Sequence, residues 1–270
     1  MKTVDVVRHE VDTKALWRKV GAQLSDVSNV IDEPEIVTVD GRPVVIYFKP
    51  DEDLKPIENA LHTIDYDQDF RTSGLETNSR TVGFQPRVSL RRDYCSAAAC
   101  ARRFPRQHDA IMSGAELATR YLERYAPEQF AFQATHVRER VRPEWMIPNS
   151  IFTSGICNKN NQLLYHFDAG NFKNTWSCMF VFTSGIEGGE LVMPQLDTAF
   201  RFQSGSAILF DGGSNIHGVA PIRKAARNSY RYSLVFYALQ QMCNCLPLAD
   251  ELKRIRTVKT AREKKRRSTL

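Results

Sequence analysis

The chain has 270 residues, 42% of them hydrophobic and 25% charged, with a net charge of +6. That is the composition of a soluble globular protein long enough to bury a sizeable core. No apolar run approaches the roughly 20 residues a membrane span needs, and Met1-Lys2-Thr3-Val4-Asp5 lacks the apolar stretch of a signal peptide. An intracellular protein without membrane contact is expected.

The charge is unevenly spread. Residues 1–86 hold ten Lys and Arg against sixteen Asp and Glu, whereas 87–106 hold six against one and 251–270 nine against two; the stretch between is balanced. Positive charge confined to one internal segment and one tail suits contact with a polyanion at defined places. The six cysteines (Cys95, Cys100, Cys157, Cys178, Cys243, Cys245) are irregularly spaced in a chain too large to need staples, so reduced thiols are expected. Cys243-x-Cys245 has no second Cys/His pair at zinc spacing.

In chain order, Ala15, Leu16, Val20 and Leu24 stand near helical spacing and predict a helix over 12–24. Val44–Phe48, rich in β-formers and bounded by Gly41, Pro43 and Pro50, predicts a strand. Ser113-x-x-Glu116 reads as a capping box opening a helix that continues through Leu117, Ala118, Tyr121 and Leu122. Pro143 and Pro148 bracket a loop. From Ile151 the texture changes to short β-rich runs at 151–157, 162–167, 176–183, 190–193, 198–202, 206–211, 216–219 and 230–239, separated by Gly, Asn and Pro. Some eight strands at this spacing indicate a sandwich or barrel. The expected architecture is α+β: a jelly-roll core over about 76–245 with helices on one side, an α/β lead-in over 1–75, and a basic tail over 246–270.

The chemistry concentrates in the β-rich part. His166 and Asp168 are two positions apart at the end of an apolar run, so on a strand both side chains share a face. His217 follows a second apolar run, Ile208-Leu209-Phe210. Two imidazoles and a carboxylate make the facial set that holds Fe(II) and leaves coordination positions open. Arg231, in an apolar strand with Ser233 on the same face, offers a planar guanidinium and a hydroxyl to the carboxylate of an oxo-acid. The other histidines, His9, His62, His108 and His136, read as structural or surface residues.

The order His-x-Asp, distal His, Arg-x-Ser resembles that of the Fe(II)/2-oxoglutarate dioxygenases built on a double-stranded β-helix. Several segments resemble its TET/JBP branch, which oxidises 5-methylpyrimidines in DNA, and its phage-borne members especially. They are Asn171, five residues after His166; Gly188-Gly189-Glu190-Leu191-Val192-Met193-Pro194; the stretch 209–222 around His217; and Tyr230–Tyr237. The likeness covers roughly 80–245. It implies Fe(II) on His166, Asp168 and His217, with 2-oxoglutarate held by Arg231 and Ser233. O2 is the oxidant, and Asn171 contacts an extruded base. If phage-encoded, the protein would work in the host cytoplasm.

A methyl group on a base inside a duplex cannot reach a buried metal, so the nucleotide must be extruded and its phosphates gripped. Candidate phosphate contacts are Arg87, Arg91, Arg92, Arg102, Arg103 and Arg106, with Arg138, Arg140 and Arg142 beside them. The tail could add a DNA arm or be only a solvated helix. Phe167, Phe172 and Trp176 are candidates to stack on the base, although strand alternation makes at least one of them core. An asparagine amide can serve either pyrimidine, and 5-methylcytosine is favoured over thymine on resemblance. Two other readings stand beside this one: the same chemistry on a protein side chain or small metabolite, and a non-catalytic DNA-binding β-barrel.

Overall fold

Eight strands form the core of the computed structural model, which describes residues 1–70, 75–88 and 92–267. In chain order they are Ser154–Lys159, Leu163–His166, Ser177–Ser184, Leu191–Met193, Thr198–Phe200, Ser206–Phe210, His217–Val219 and Tyr230–Tyr237. The first, eighth, third and sixth lie side by side in a major sheet, and the second, seventh, fourth and fifth in a minor one. Neighbours among them are antiparallel. This interleaving is the double-stranded β-helix, and with its flanking helices the fold is the α+β jelly roll expected.

Ser177–Ser184 shows why the pattern gives this fold. It is nearly continuous in apolar residues, as a strand covered on both faces must be. Cys178, Phe180 and Phe182 face outward with Leu234 and Phe236, under the helices Lys55–Thr63, Pro105–Tyr125 and Pro127–Arg138. Met179 and Val181 face inward to Leu191, Met193, Phe200 and Val219 of the minor sheet. Each large apolar side chain buried this way contributes about 1.5–3 kcal/mol. The amino-terminal residues extend both sheets. Lys2–Asp5, Glu35–Val39 and Arg42–Phe48 continue the major sheet beyond Ser206–Phe210, and Asn29–Ile31 pairs in parallel with Thr198–Phe200. Glu76–Gln85 and Asp67–Phe70 cover the other edge.

Three sequence expectations are corrected. The helix over 12–24 is one turn, Thr13–Leu16, with Asp12 accepting from the Lys14 and Ala15 amides at 3.1 Å. Arg18 then takes a positive φ of 57°, and Gly21 bridges to Leu164. Leu16 and Leu24 pack beside Tyr165, Val192 and Ala199 of the minor sheet, while Ala15 and Val20 are exposed. The second correction concerns Ser113, which lies inside a helix that begins at Pro105; its hydroxyl donates to the Ala110 carbonyl at 2.8 Å. Proline at the first helical position, where no amide partner is lost, is the true start signal. Third, Cys95 and Cys245 are not reduced thiols but a disulfide; a partner 150 residues away is set by topology and invisible in local spacing. It also removes Cys245 from any zinc pair with Cys243. Of the three aromatics considered for stacking, Phe172 and Trp176 both belong to the core, in keeping with the expectation that at least one would.

The tail forms the helix Leu248–Arg267, held to the body by Glu251 and by Arg254, which donates to the Asp93 carbonyl and carboxylate. Glu251, fully buried, accepts from Arg87 Nε and Nη2, the Cys95 amide and the Leu246 amide at 2.5–3.1 Å. Among the described residues no helix is long and apolar enough to cross a membrane.

Candidate metal centre and adjoining cavities

His166 ends one minor-sheet strand and His217 begins its antiparallel neighbour, and the two are register partners. Their rings lie 4.3 Å apart between centroids. Asp168, just past the strand end, brings Oδ1 within 3.7 Å of His166 Nε2 and 3.9 Å of His217 Nε2. Among the described residues these three form a group whose ligand atoms all lie within 4.8 Å of one another.

Both imidazoles are aimed by the backbone. His166 Nδ1 lies 2.9 Å from the Leu164 carbonyl and His217 Nδ1 2.9 Å from the Asn215 carbonyl. A carbonyl can only accept, so each Nδ1 carries the proton and each Nε2 presents its lone pair to the shared space. Asn215 is itself held: its Nδ2 donates to the Asp211 carbonyl at 2.8 Å, and Arg8 Nη1 donates to its Oδ1 at 2.9 Å. Gly212 completes the cradle, since a β-carbon there would overlap the Asp168 carboxylate and stand 3.1 Å from His217 Cε1. Two imidazoles anchored through Nδ1 and one carboxylate, converging on a shared space, fit a divalent first-row metal such as Fe(II).

The three residues line a cavity of about 290 Å³ between the sheets. Apolar Met179, Leu191, Phe210 and Val219 make much of its wall, and Asn158, Asn171, Ser233 and Tyr237 supply polar groups. Asn158 Nδ2 donates to Ser233 Oγ at 3.3 Å, while Asn158 Oδ1 accepts from Ser79 Oγ at 2.8 Å and Asn161 Nδ2 at 3.1 Å. Asn171 Nδ2 donates to Ser177 Oγ at 3.1 Å. Burial, reinforced by the charge of Asp168, pushes the Tyr237 phenol up, so it stays a neutral donor.

Arg231 does not line this cavity. It lies two residues from Ser233 on the same strand face and forms part of a second cavity of about 390 Å³ with Val181, Thr183, Gly189, Glu190 and Arg201. Arg231 is 3% exposed, and among the described residues its Nη2 has no hydrogen-bond partner. Burial pushes its pKa down to about 10, with Glu190 pulling the other way. An orphaned buried guanidinium is costly, and a carboxylate is the partner its geometry fits.

Several of the residues proposed to grip DNA are engaged within the chain. Arg87 is tied to Glu251, Arg92 to Gln85 and the Pro86 carbonyl, and Arg103 to Asp65. Arg102 and Arg106 are exposed; Arg91 lies outside the described residues. Arg140 bonds the His136 carbonyl and Glu139. Phe167 is partly buried beside Tyr165 and Ile216. Sequence reasoning missed Asn158, Asn161 and Tyr237, although polar Asn158 in an otherwise buried strand was the available signal. It also missed Arg8, whose partner lies 207 positions away.

Comparison with known proteins agrees with this architecture. The Tet_JBP family, described as the oxygenase domain of the 2OGFeDO superfamily, matches residues 107–240. The "Bifunctional helicase and thymine dioxygenase JBP2" of Trypanosoma brucei brucei is 29% identical over 112 residues, 42% of this chain and 10% of that protein. Its namesake from Leishmania braziliensis is 24% identical over 135 residues, 50% of this chain and 12% of that protein. The chain thus spans about a tenth of the length of these curated relatives. The solved structure "NgTET1 in complex with 5mC DNA" superposes with a TM-score of 0.61 at 14% identity, over 94% of this chain and 90% of that one, and shares the fold.

Proposed function

Starting from a chain that carries a TET/JBP-type oxygenase domain, we propose that it oxidises the 5-methyl group of a pyrimidine in DNA to the hydroxymethyl base, with 5-methylcytosine as the favoured substrate. The observation that carries this reading is the pairing of the His166, Asp168, His217 cluster with a buried guanidinium whose Nη2 has no hydrogen-bond partner among the described residues.

His166, Asp168 and His217 would hold Fe(II). With O2 and 2-oxoglutarate the metal supplies hydroxylation of an unactivated methyl, one oxygen atom ending in the alcohol and the other in succinate as CO2 leaves. The chain's own work is positioning. The Leu164 and Asn215 carbonyls hold both rings through Nδ1 and so aim both Nε2 atoms at the shared space. Arg231 takes the far carboxylate of the oxo-acid bidentately, and Ser233, oriented by Asn158, adds a hydroxyl nearer the metal. The apolar wall of Met179, Leu191, Phe210 and Val219 excludes water.

Because the cluster lies between the sheets, a duplex base would reach it only after extrusion. Asn171, lining the same cavity, is the residue we assign to the base edge. Its amide nitrogen is engaged by Ser177, and its Oδ1 has no partner among the described residues. As an acceptor, Oδ1 suits the exocyclic amino group of cytosine, whereas thymine presents a carbonyl at that position. The thymine dioxygenases among the relatives make thymine the alternative.

The test uses protein with Fe(II), ascorbate and 2-oxoglutarate on matched duplexes, one containing 5-methylcytosine and one only unmodified bases, digested to nucleosides for mass spectrometry. A nucleoside one oxygen heavier from the first duplex alone supports the reading. The same gain on thymidine moves the substrate to thymine, and no oxidised nucleoside alongside continued slow succinate release sinks the DNA reading.

A further inference from the structure

The second cavity adjoins the first at one cross-strand pair. Val181 lines the second cavity, and its register partner Ser233 lines the first. Thr183 and Arg231, the next inward-facing pair, both lie in the second cavity. Moving along Tyr230–Tyr237 and just beyond it, Arg231 belongs to one cavity and Ser233, Val235, Tyr237 and Leu239 to the other. Leu239 bridges to Asn171. The guanidinium and the base-facing asparagine therefore stand at opposite ends of the space between the sheets, separated by up to about 26 Å of extended strand.

A two-stranded ribbon, Ile186–Gly188 paired with Ile222–Lys224, borders the Arg231 end. Gly189, at φ 76°, joins it to the minor sheet, and a β-carbon there would sit 2.9 Å from Arg231 Cδ and Nε. The absence of a side chain at that position keeps the approach to Arg231 open. Of the charged residues that line the cavity, Arg201 and Arg231 stand against Glu187 and buried Glu190, which Arg201 bonds at 3.2 Å, and the bordering ribbon adds exposed Arg223 and Lys224. The surplus is cationic, and a cationic rim over a cleft raises the local concentration of a dianion.

We infer that this cavity is a separate port for the dicarboxylate co-substrate, through which 2-oxoglutarate reaches Arg231 and succinate leaves while DNA occupies the Asn171 end. The inference rests on the proposed oxygenase reading and adds to it an order of events. Co-substrate exchanges without release of the strand, so one binding encounter supports more than one turnover.

The experiment mixes 2-oxoglutarate rapidly with Fe(II)-loaded protein under argon and follows the visible absorption of the oxo-acid chelate, with and without a saturating 5-methylcytosine duplex. The association rate is expected to change by no more than about twofold when DNA is bound, because the two ends are independent. Thr183→Trp, which fills the port from a half-exposed strand position, is expected to slow association about tenfold with the duplex Kd unchanged. The double change Arg223→Glu, Lys224→Glu, confined to exposed positions, is expected to slow it by a similar factor at low salt and by less at high salt. Full blockage by bound DNA, with Thr183→Trp and the charge reversal binding at the parental rate, would overturn the port. A protein that binds no duplex would remove the DNA reading while the two variants still decide the port. A protein that forms no chelate would remove the co-substrate reading and the port with it.

Discussion

His166 and His217 face each other as register partners across an antiparallel pair, each with Nδ1 held at 2.9 Å by the carbonyl two residues before it. One local geometry, used twice, fixes both tautomers before any metal arrives. Gly212 guards the third ligand. Gly212→Ala should therefore weaken Fe(II) or Mn(II) affinity by about 10–100-fold, the range seen when groups that orient metal ligands are disturbed. Calorimetric titration of the metal checks this, with a circular-dichroism spectrum showing the fold retained. Asp168→Ala, which removes a ligand, should lose more.

Arg231 is held buried with an unpartnered Nη2. Arg231→Met should leave the ligand-free protein as stable as the parent or more so, by on the order of 1 kcal/mol, because replacing a buried charge with a hydrophobe of similar volume removes its desolvation penalty. The same change should weaken 2-oxoglutarate binding by about 10–100-fold, through loss of charge-assisted hydrogen bonds. Thermal melts with and without 2-oxoglutarate separate the effects: the parent gains Tm from the ligand and the variant does not.

The eight core strands and the three metal-ligand candidates were legible in the sequence because both depend on short-range pattern. Strand runs broken by Gly and Pro, and a His-x-Asp sharing one strand face, are local signals. What escaped was long-range. The Cys95–Cys245 bond, the Glu251 anchor and the Arg8–Asn215 contact join residues 150, 164 and 207 positions apart. The arginines of 87–106 read as a basic segment with candidate phosphate contacts. Only folding showed that Arg87 and Arg103 are spent on Glu251 and Asp65.

His108 supplies a pH test outside the site. Its Nε2 accepts from the Gly83 amide at 3.1 Å, which requires the neutral ring, and burial lowers its pKa, opposed by Asp109. The unfolded chain therefore binds the proton more readily than the folded one. Stability from this group is complete above the ordinary histidine value of about 6.5 and is lost as pH falls through the lowered folded value. Thermal melts across that window should show a steeper acid-side fall for the parent than for His108→Gln, whose side chain does not titrate.

Glu251 joins the basic helix to the body. It is fully buried and accepts four hydrogen bonds, two of them from Arg87. Helix Leu248–Arg267 is polar along most of its length, so its order depends on Glu251 and the Arg254–Asp93 contacts at its base rather than on a packed face. Glu251→Ala leaves Arg87 and two amides without their acceptor and should destabilise the anchored segment by about 3–5 kcal/mol. Trypsin, which cuts at Lys and Arg, should then remove residues beyond 253 far faster than in the parent, and amide exchange across 248–267 should rise with it. Reducing Cys95–Cys245 should act in the same direction, because the bond closes a 150-residue separation beside Glu251. The two changes combined should exceed either alone by less than their sum, since both release the same helix base.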